Sequence, residues 1–225
     1  MHPSEIRDQL RNFYNSSAQS FSLSRKNYWI EFELIKEYFP VSGKLLDYGC
    51  GNGRLARFLS ECQSSLQYQG VDISTELIKF AQNDNPGKNF FVLAKENKLP
   101  FANNEFEIVC SVAVFHHFNP EMLAGALKEI SRVLKKDGIL VCLVWRLWNW
   151  KYLKYFLVNF FSMKGRWALI PFGDKRLNQK RFCYLWTGMD LKRIFSKTGF
   201  KIIKKSTISR LKGNGANYFF VLKNF

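Results

Sequence analysis

The sequence predicts an α/β fold, a doubly wound sheet of seven mostly parallel strands that ends in a C-terminal antiparallel hairpin strand. Three observations predict it. Short apolar runs alternate with amphipathic segments of helical length, a glycine-rich turn follows the first run, and the last two runs follow each other directly. Such alternation is typical of parallel strands joined by right-handed helical crossovers.

Seven runs supply the predicted strands, and the segments between them supply the helices. The runs lie at 44–48, 66–72, 90–94, 106–114, 139–145, 201–210 and 218–222. The fourth run is almost continuously apolar, which is typical of a central strand covered on both faces. Helices are predicted at 54–62, 74–82, 120–135 and 187–198. Ser74 is a favourable N-cap for the second helix, and Asp137–Gly138 is expected to stop the third.

Two segments are expected to flank this core within a single domain of residues 1–225. In residues 1–40, apolar side chains recur at three- and four-residue steps, which predicts an N-terminal helical cap. Residues 146–186 are predicted to form a basic aromatic insertion, or lid. Between residues 146 and 181 this insertion carries nine basic residues and one acid among many aromatic rings.

Charge indicates the kind of partner that the protein binds. The chain has 34 Lys and Arg against 18 Asp and Glu, a formal net charge of +16. A compact protein with this excess is expected to bind a polyanion, either a nucleic acid or an anionic membrane face.

Five scattered cysteines without a CxxC pair predict reduced thiols and no metal site. A polar start and the lack of any membrane-spanning apolar run complete the expectation of a cytoplasmic protein.

A glycine loop after the first predicted strand carries the clearest chemical signal. The loop reads Asp-Tyr-Gly-Cys-Gly-Asn-Gly over residues 47–53 and leads directly into a helix. Its glycines allow a sharp turn and let the backbone approach a ligand without an intervening Cβ. A second acid, Asp72, ends the next strand, where a carboxylate can accept hydrogen bonds from both hydroxyls of a ribose. Ile73 beside it can lie on an adenine face, so an adenosine-containing ligand is expected.

These residues resemble the class I S-adenosylmethionine (SAM) methyltransferases, which implies a Rossmann-like fold and SAM as cofactor. Four blocks carry the resemblance in the family's order: Asp47–Gly53, Val71–Ser74, Leu99–Phe101 with Phe106–Val109, and Arg132–Gly138. The resemblance implies that the loop glycines face the methionine part of SAM, that Asp47 supports the loop, and that Asp72 holds the ribose. The residues expected to bind the cofactor are Asp47, Gly49, Gly51, Gly53, Asp72, Ile73, Lys95, Glu96 and Ser111.

One position departs from the family's pattern. Lys95-Glu96 stands where the family usually has Asp-Ala to accept a hydrogen bond from the adenine amino group. A lysine has no acceptor. Either Glu96 or a backbone carbonyl is therefore expected to take that role, or the selectivity for adenine is looser.

Blocks outside this core resemble the eukaryotic-type tRNA wobble-uridine methyltransferases, which esterify 5-carboxymethyluridine in the anticodon. The matching blocks are Phe21–Arg25 with Trp29, Ser111–His117, Leu143–Trp145 and Arg181–Trp186. The last block is degenerate, since Phe182, Cys183 and Tyr184 replace Tyr, Tyr and His. The resemblance implies tRNA as the partner that carries the acceptor. The resembling enzymes also use a small zinc-binding activator subunit.

The chemistry of such an acceptor explains which side chains are expected around it. A carboxylate is ionised at neutral pH, so it needs orientation and a compensating positive charge more than a strong base. Arg25, Arg146 and Arg181 are possible sources of a guanidinium fork. Of the adjacent histidines, one is expected to contact the acceptor or act as a base, and His116 is favoured. The expected catalytic residues are His116, Arg25 and Arg181. The residues expected to contact the substrate are Trp29, His117, Trp145, Arg146, Lys151 and Lys154.

The insertion admits three interpretations. Its lysines can neutralise tRNA phosphates while its aromatic rings stack on unpaired bases. It can instead form an interfacial amphipathic helix on anionic lipid, which would indicate a methyltransferase of a quinone, a lipid or another small molecule. Its aromatic rings can also simply be core beneath a lid. A SAM-binding but inactive partner subunit is a further alternative to an enzyme.

Overall fold

The fold is described from a computed structural model, which covers residues 1–25, 27, 29–93, 98–148, 150–161, 165–172, 179–209 and 216–225. The helices are α1 (Pro3–Ser16), α2 (Ala18–Leu23), α3 (Glu31–Lys36), α4 (Arg54–Glu61), α5 (Thr75–Asp84), α6 (Pro120–Val133), α7 (Trp150–Phe161) and α8 (Gly188–Lys197), with a 3₁₀ turn at Phe115–His117. The strands are β1 (Lys44–Tyr48), β2 (Gln67–Asp72), β3 (Asn89–Val92), β4 (Phe106–Val112), β5 (Leu134–Arg146), β6 (Trp167–Pro171), β7 (Lys180–Tyr184), β8 (Phe200–Ser209) and β9 (Ala216–Asn224).

Seven strands form the main sheet in the order β3-β2-β1-β4-β5-β9-β8. Strands β1 to β5 pair in parallel, and β9 runs antiparallel to both β5 and β8. The order turns back on itself between β1 and β4, the point where open α/β sheets bind ligands. The predicted α/β fold, with its mostly parallel sheet and antiparallel C-terminal pair, is confirmed.

Apolar side chains cover both faces of this sheet. On one face, α6 and α8 pack through Leu123, Leu127 and Phe195. On the other face, α3 and α4 pack through residues such as Phe32 and Phe58. The strands between them are buried on both sides, as the continuous apolar runs predict. The sheet is therefore a rigid support for the loops at its carboxyl edge.

The boundary between α6 and β5 differs from the prediction. The sequence predicts a helix to residue 135 and a strand from 139, but α6 ends at Val133 and β5 begins at Leu134. Leu134 pairs with Phe106 of β4, and the register then shifts before Ile139 pairs with Ile108. Within this irregular stretch Asp137 adopts a left-handed φ of 63°. Because pairing with β4 outweighs the local turn signal, the lysines before Asp137 belong to the strand.

The two segments that flank the main sheet have distinct structures. The cap consists of α1, α2 and α3. The insertion consists of α7 and a separate antiparallel sheet of β6 and β7. Within the insertion, a small core joins α7 to this sheet. It is formed by Leu147, Phe156, Ala168, Ile170, Cys183 and Leu185. None of the described helices, α7 included, has the length and apolar content needed to cross a bilayer.

Candidate functional site

A cleft opens where β1, β2, β4 and β5 end, and α1 and α2 line its other side. Its empty space is about 1160 Å³, part of it open to solvent. The lining brings together most of the residues that the sequence singles out. Those residues are Arg25, Trp29, Asp47, Gly49, Gly51, Asp72, Ile73, His116, His117, Trp145 and Arg181.

The glycine loop forms the floor of this cleft. The amide groups of Gly49 and Cys50 both donate to the Val71 carbonyl, at 2.8 and 3.0 Å, which ties the loop to the end of β2. Gly49 has a φ of +81°, and a Cβ built there would lie 2.2 Å from Cγ2 of Val114. Only glycine fits this position, because both the backbone angle and the contact exclude a side chain.

Two carboxyl groups lie beside the loop, Asp47 buried and Asp72 partly buried. Asp72 accepts hydrogen bonds from the Gly51 and Ser74 amide groups, each at 2.9 Å. Burial raises its pKa, and these amide donors oppose the rise. Asp47 accepts from the Tyr68 hydroxyl at 2.8 Å, and burial raises the pKa of Asp47 to about 7. Asp72 thus presents a preoriented carboxylate to the cleft, with lone pairs left for a ligand hydroxyl.

Four residues expected at the cofactor site lie elsewhere or outside the described residues. Gly53 does not line the cleft: it precedes α4 with a φ of +76°, and a Cβ there would lie 2.6 Å from Nδ2 of Asn85, the residue after α5, so backbone angle and packing both favour glycine. Ser111 is fully buried within β4, whose next residues, from Val112 onward, reach the cleft. Lys95 and Glu96 lie outside the described residues.

The two histidines are both buried, but they have different surroundings. His117 Nδ1 lies 2.6 Å from the Phe182 carbonyl, and Nε2 lies 2.8 Å from the Tyr14 hydroxyl. Burial, with the nearby Arg181 cation, lowers the pKa of His117 to about 3, so the ring is neutral. The His116 ring instead stacks on the Trp145 indole, 4.3 Å between centroids and 5° between planes. His117 therefore connects structural elements, whereas His116 presents a stacked ring to the cleft.

A column of aromatic rings and guanidinium groups forms the opposite wall. Arg181 lies over Trp145, with 4.6 Å from Cζ to the ring centroid, and over Phe172 at 4.8 Å. Arg25 lies over the same Phe172 ring at 5.0 Å and over Phe21 at 4.1 Å. Burial and the neighbouring Arg181 cation lower the pKa of Arg25 to about 10. Stacked rings cover the flat faces of both guanidinium groups, which leaves their N–H edges for a ligand.

Neither arginine has an acidic partner in the part of the chain that the structure describes. Ion pairs there involve other cations, such as Arg57 with Asp84 and Arg166 with Asp190. Arg181 is almost fully buried. Two cations held close together without a counterion favour a negatively charged ligand.

The remaining predicted substrate contacts are Arg146, Lys151 and Lys154. Arg146, at the end of β5, is exposed and does not line the cleft, so the structure does not bring it together with Arg25 and Arg181. Lys154 is exposed on α7, with Nζ 5.2 Å from the Tyr155 ring centroid. Lys151 belongs to α7, but its side chain lies outside the described set.

The sequence interpretation missed residues that α1 and α2 bring into the cleft. Tyr14 and Phe21 line it, as do Asn52 and Arg54 of the glycine loop region. The helical periodicity of α1 predicts its buried side, formed by Ile6, Leu10 and Phe13. Tyr14 is adjacent to that stripe, so periodicity gives no signal that its hydroxyl reaches the cleft.

Three potential metal-ligating groups also meet near this wall. Ligand atoms of His116, His117 and Cys183 all lie within 4.8 Å of one another. Burial raises the pKa of Cys183 to about 12, which disfavours the thiolate that a metal requires. Since His117 is also hydrogen-bonded on both sides, the geometry favours packing over metal binding.

The residues present fit a bound SAM molecule. Asp72 presents a partly buried acceptor for ribose hydroxyls, the loop around Gly49 and Gly51 leaves the backbone accessible, and Ile73 and Leu93 supply an apolar lining. Residues 46–142 match the family model described as a methyltransferase domain. Fold, cleft and match together define the class: the chain is a SAM-dependent methyltransferase.

Two relatives whose names state an acceptor differ in that acceptor. The tRNA (carboxymethyluridine(34)-5-O)-methyltransferase of Schizosaccharomyces pombe is 29% identical over 141 residues, which cover 62% of this chain and 58% of that protein. The ubiquinone/menaquinone biosynthesis C-methyltransferase UbiE of Desulfotalea psychrophila is 28% identical over 137 residues, covering 60% of this chain and 55% of that protein. The chain thus spans less than two thirds of either relative.

Solved structures of similar fold extend over nearly the whole chain. A SAM-dependent methyltransferase of Methanosarcina mazei has a TM-score of 0.72 at 21% identity and covers 85% of this chain and 97% of its own. The chain bound to the Trm112 methyltransferase activator in a Haloferax volcanii complex has a TM-score of 0.69 at 18% identity. That match covers 96% of this chain and 97% of the other. At these identities the likeness concerns the fold.

Proposed function

We propose that the protein is a cytoplasmic tRNA methyltransferase that esterifies the carboxylate of 5-carboxymethyluridine at the wobble position. One observation carries the choice of acceptor: Arg25 and Arg181 are held in the same cleft as Asp72, stacked on aromatic rings and without an acidic partner among the described residues. A carboxylate placed between them would supply the missing negative charge. Similarity to the Schizosaccharomyces pombe enzyme supports the same acceptor.

The proposed site assigns orientation and charge to the arginines. An acceptor carboxylate carries its negative charge at neutral pH, so no side chain has to remove a proton from it. Each guanidinium group can hold one or both carboxylate oxygens through parallel N–H donors. The stacked rings of His116 and Trp145 would support the uracil ring and exclude water. SAM, when bound, supplies an electrophilic methyl group that needs no further activation.

The cofactor end of the cleft has the opposite electrostatic character. Asp72 would accept hydrogen bonds from the ribose, Asp47 would keep the loop in place through Tyr68, and Gly49 and Gly51 would face the methionine part. Asn52 is buried in the cleft lining, and its Nδ2 has no hydrogen-bond partner among the described residues. That amide is a further donor available to the cofactor.

The insertion offers a surface for RNA at the same edge of the sheet. Trp150 is 88% exposed at the start of α7, where an unpaired base can stack on it. Lys154 on the same helix and Arg146 at the end of β5 are exposed cations for phosphate contacts. The other rings of the insertion, such as Phe156, are buried in its small core. The insertion thus combines a core with an exposed rim suited to RNA.

A small activator subunit is part of the proposal. A chain of similar fold is solved with the Trm112 activator. In this protein β3 is an edge strand of the main sheet, and it exposes the large apolar side chains of Phe91 and Val92. An exposed apolar edge strand needs cover. We assign this edge to the activator, on a single catalytic domain of residues 1–225.

A quinone or lipid acceptor is the second candidate function. It is favoured by the similarity to UbiE and by the exposed Trp150 and Lys154 on α7, which would also suit an anionic lipid surface. The paired arginines argue against it, because a carbon acceptor on a quinone ring offers them no carboxylate. The two functions therefore differ in the charge of the acceptor.

Methyl transfer to defined acceptors distinguishes the two functions. The protein, alone and with a Trm112-type activator, is given labelled SAM and an anticodon stem-loop RNA that carries 5-carboxymethyluridine. We expect one added methyl that mild alkali removes, as an ester requires. A matched RNA with unmodified uridine should stay unlabelled. Methylation of demethylmenaquinone in vesicles, with neither RNA labelled, would select the second function.

A further inference from the structure

Helix α1 spans the cleft and contacts both of its halves. On the cofactor side, Asn15 Oδ1 accepts hydrogen bonds from Ser74 Oγ at 2.8 Å and from the Glu76 amide at 3.3 Å. The Ser74 amide in turn donates to Asp72. On the acceptor side, Gln9 Nε2 donates to the Lys180 carbonyl at 2.7 Å, and Gln9 Oε1 accepts from the Phe182 amide at 3.0 Å. The helix therefore holds the β7 backbone on both sides of Arg181.

Tyr14, between these two anchors, contacts the side chain of Arg181. Arg181 Nη1 lies 3.5 Å from the Tyr14 hydroxyl, which lies 2.8 Å from His117 Nε2. His117 Nδ1 lies 2.6 Å from the Phe182 carbonyl. Because a carbonyl only accepts, the ring proton belongs on Nδ1, and Nε2 must accept from the Tyr14 hydroxyl. The phenol oxygen is then left to accept from Arg181.

The direction of this hydrogen-bond chain is fixed by its surroundings. Arg181 donates to Tyr14, Tyr14 donates to His117, and His117 donates to the Phe182 carbonyl. The depressed pKa of His117 keeps the ring neutral, so Nε2 stays an acceptor over the physiological range. Burial also raises the pKa of Tyr14, which keeps the hydroxyl protonated. The Arg181 guanidinium thus donates to the Tyr14 hydroxyl while the Trp145 and Phe172 rings lie against it.

We propose that Tyr14 is a positioning residue, which turns the Arg181 guanidinium toward the acceptor while α1 keeps Arg181 in register with the Asp72 side of the cleft. The proposal rests on the proposed function, in which Arg181 binds the acceptor's carboxylate. Tyr14 acts through Arg181, and its hydroxyl is the atom that matters. Its ring has a separate packing role, with edge-on contacts to Phe13 at 4.9 Å and Phe21 at 5.7 Å.

Replacement Tyr14→Phe separates the two roles, because phenylalanine keeps the ring contacts and removes one oxygen. With the anticodon stem-loop RNA carrying 5-carboxymethyluridine, we expect kcat/KM to fall about tenfold, mainly through KM, as the loss of one hydrogen bond to a charged group predicts. S-adenosylhomocysteine affinity by calorimetry should stay within about twofold. The matched control Tyr38→Phe removes a hydroxyl outside the cleft and should change neither value.

A double-mutant cycle tests whether Tyr14 acts through Arg181. In an Arg181→Ala background, adding Tyr14→Phe should cost nothing further, whereas a full additional loss would overturn the proposal. A second readout needs no substrate: the Arg181 Nε–Hε NMR resonance should shift in Tyr14→Phe and stay in place in Tyr38→Phe. An unshifted resonance in Tyr14→Phe also overturns it. If Arg181→Ala itself leaves the kinetics unchanged, the proposed function fails; if only Tyr14→Phe does so, this inference alone fails.

Discussion

The two halves of the cleft are built in opposite ways. The cofactor half comes mainly from one short stretch, residues 47–74, and combines two acids with backbone amide groups. The acceptor half combines cations and aromatic rings from positions as distant in sequence as Arg25, Trp145 and Arg181. The contrast shows how one cleft can hold two ligands of different charge, because each half is preorganised for its own ligand.

The largest expected effect is a loss of cofactor binding that leaves RNA binding unchanged, which would show that the two halves of the cleft bind their ligands separately. Replacement Asp72→Ala removes the acceptor for two ribose hydroxyls and leaves the Gly51 amide without its partner. We expect S-adenosylhomocysteine affinity to weaken about 1,000-fold, as two lost charge-assisted hydrogen bonds predict. Calorimetry measures this value, and the affinity for tRNA in a filter-binding assay should stay within about threefold.

Two results would break the comparison at this position. If Asp72→Ala binds S-adenosylhomocysteine like the unchanged protein, the cofactor is held elsewhere. If it loses RNA and cofactor affinity together, the halves are not separate sites. Asp84→Ala is a suitable control, since it removes an exposed carboxylate of α5 that pairs with Arg57 at the surface.

A second effect, on stability, should also be confined to the cofactor half. The pKa of Asp47 is raised to about 7 in the fold, while an unfolded aspartate titrates near pH 3.9. The folded protein therefore keeps a proton that the unfolded chain has lost. This group stabilises the fold fully below about pH 3.9, and that contribution is lost as the pH rises through about 7.

Replacement Asp47→Asn removes this dependence, because an amide does not ionise and its oxygen still accepts from Tyr68. Relative to the unchanged protein, the unfolding free energy of the variant should rise with pH between about pH 4 and pH 7. The rise should be up to about 1.4 kcal/mol per pH unit. Denaturant unfolding at several pH values measures the difference. Curves that stay parallel across this window would show that burial does not raise the pKa of Asp47.

The fold was largely predictable because its signals are local. Strand β4 is a mostly apolar run, and Ser74 and Thr187 cap α5 and α8 as their residue types predict. The α6–β5 boundary was not predictable, because the pairing of Leu134 with β4 is a long-range contact that no local pattern encodes. The β6–β7 sheet of the insertion was not predicted for the same reason.

In the site, too, residues near strand ends were predictable from the sequence, whereas residues brought in by long-range packing were not. Asp47, Gly49 and Asp72 lie within a few residues of strand ends, so topology alone places them together. The resemblance to a family identified Arg25 and Arg181, but not what holds them. Tyr14 reaches Arg181 only because α1 packs across the cleft, and Phe172 contacts both guanidinium groups only because the insertion folds over them. Ser111 and Gly53 show the converse, since residues in a matching block can face the core instead of the cleft.

The charge preference of the acceptor half is the central claim, and one binding measurement tests it directly. Two anticodon stem-loop RNAs that differ only in 5-carboxymethyluridine or its neutral amide, 5-carbamoylmethyluridine, are titrated into the protein saturated with S-adenosylhomocysteine. The carboxylate RNA should bind at least about tenfold more tightly. Arg25→Ala and Arg181→Ala should each reduce this preference, while Arg146→Ala, outside the cleft, should keep it. Equal affinity for the two RNAs in the unchanged protein would contradict the account.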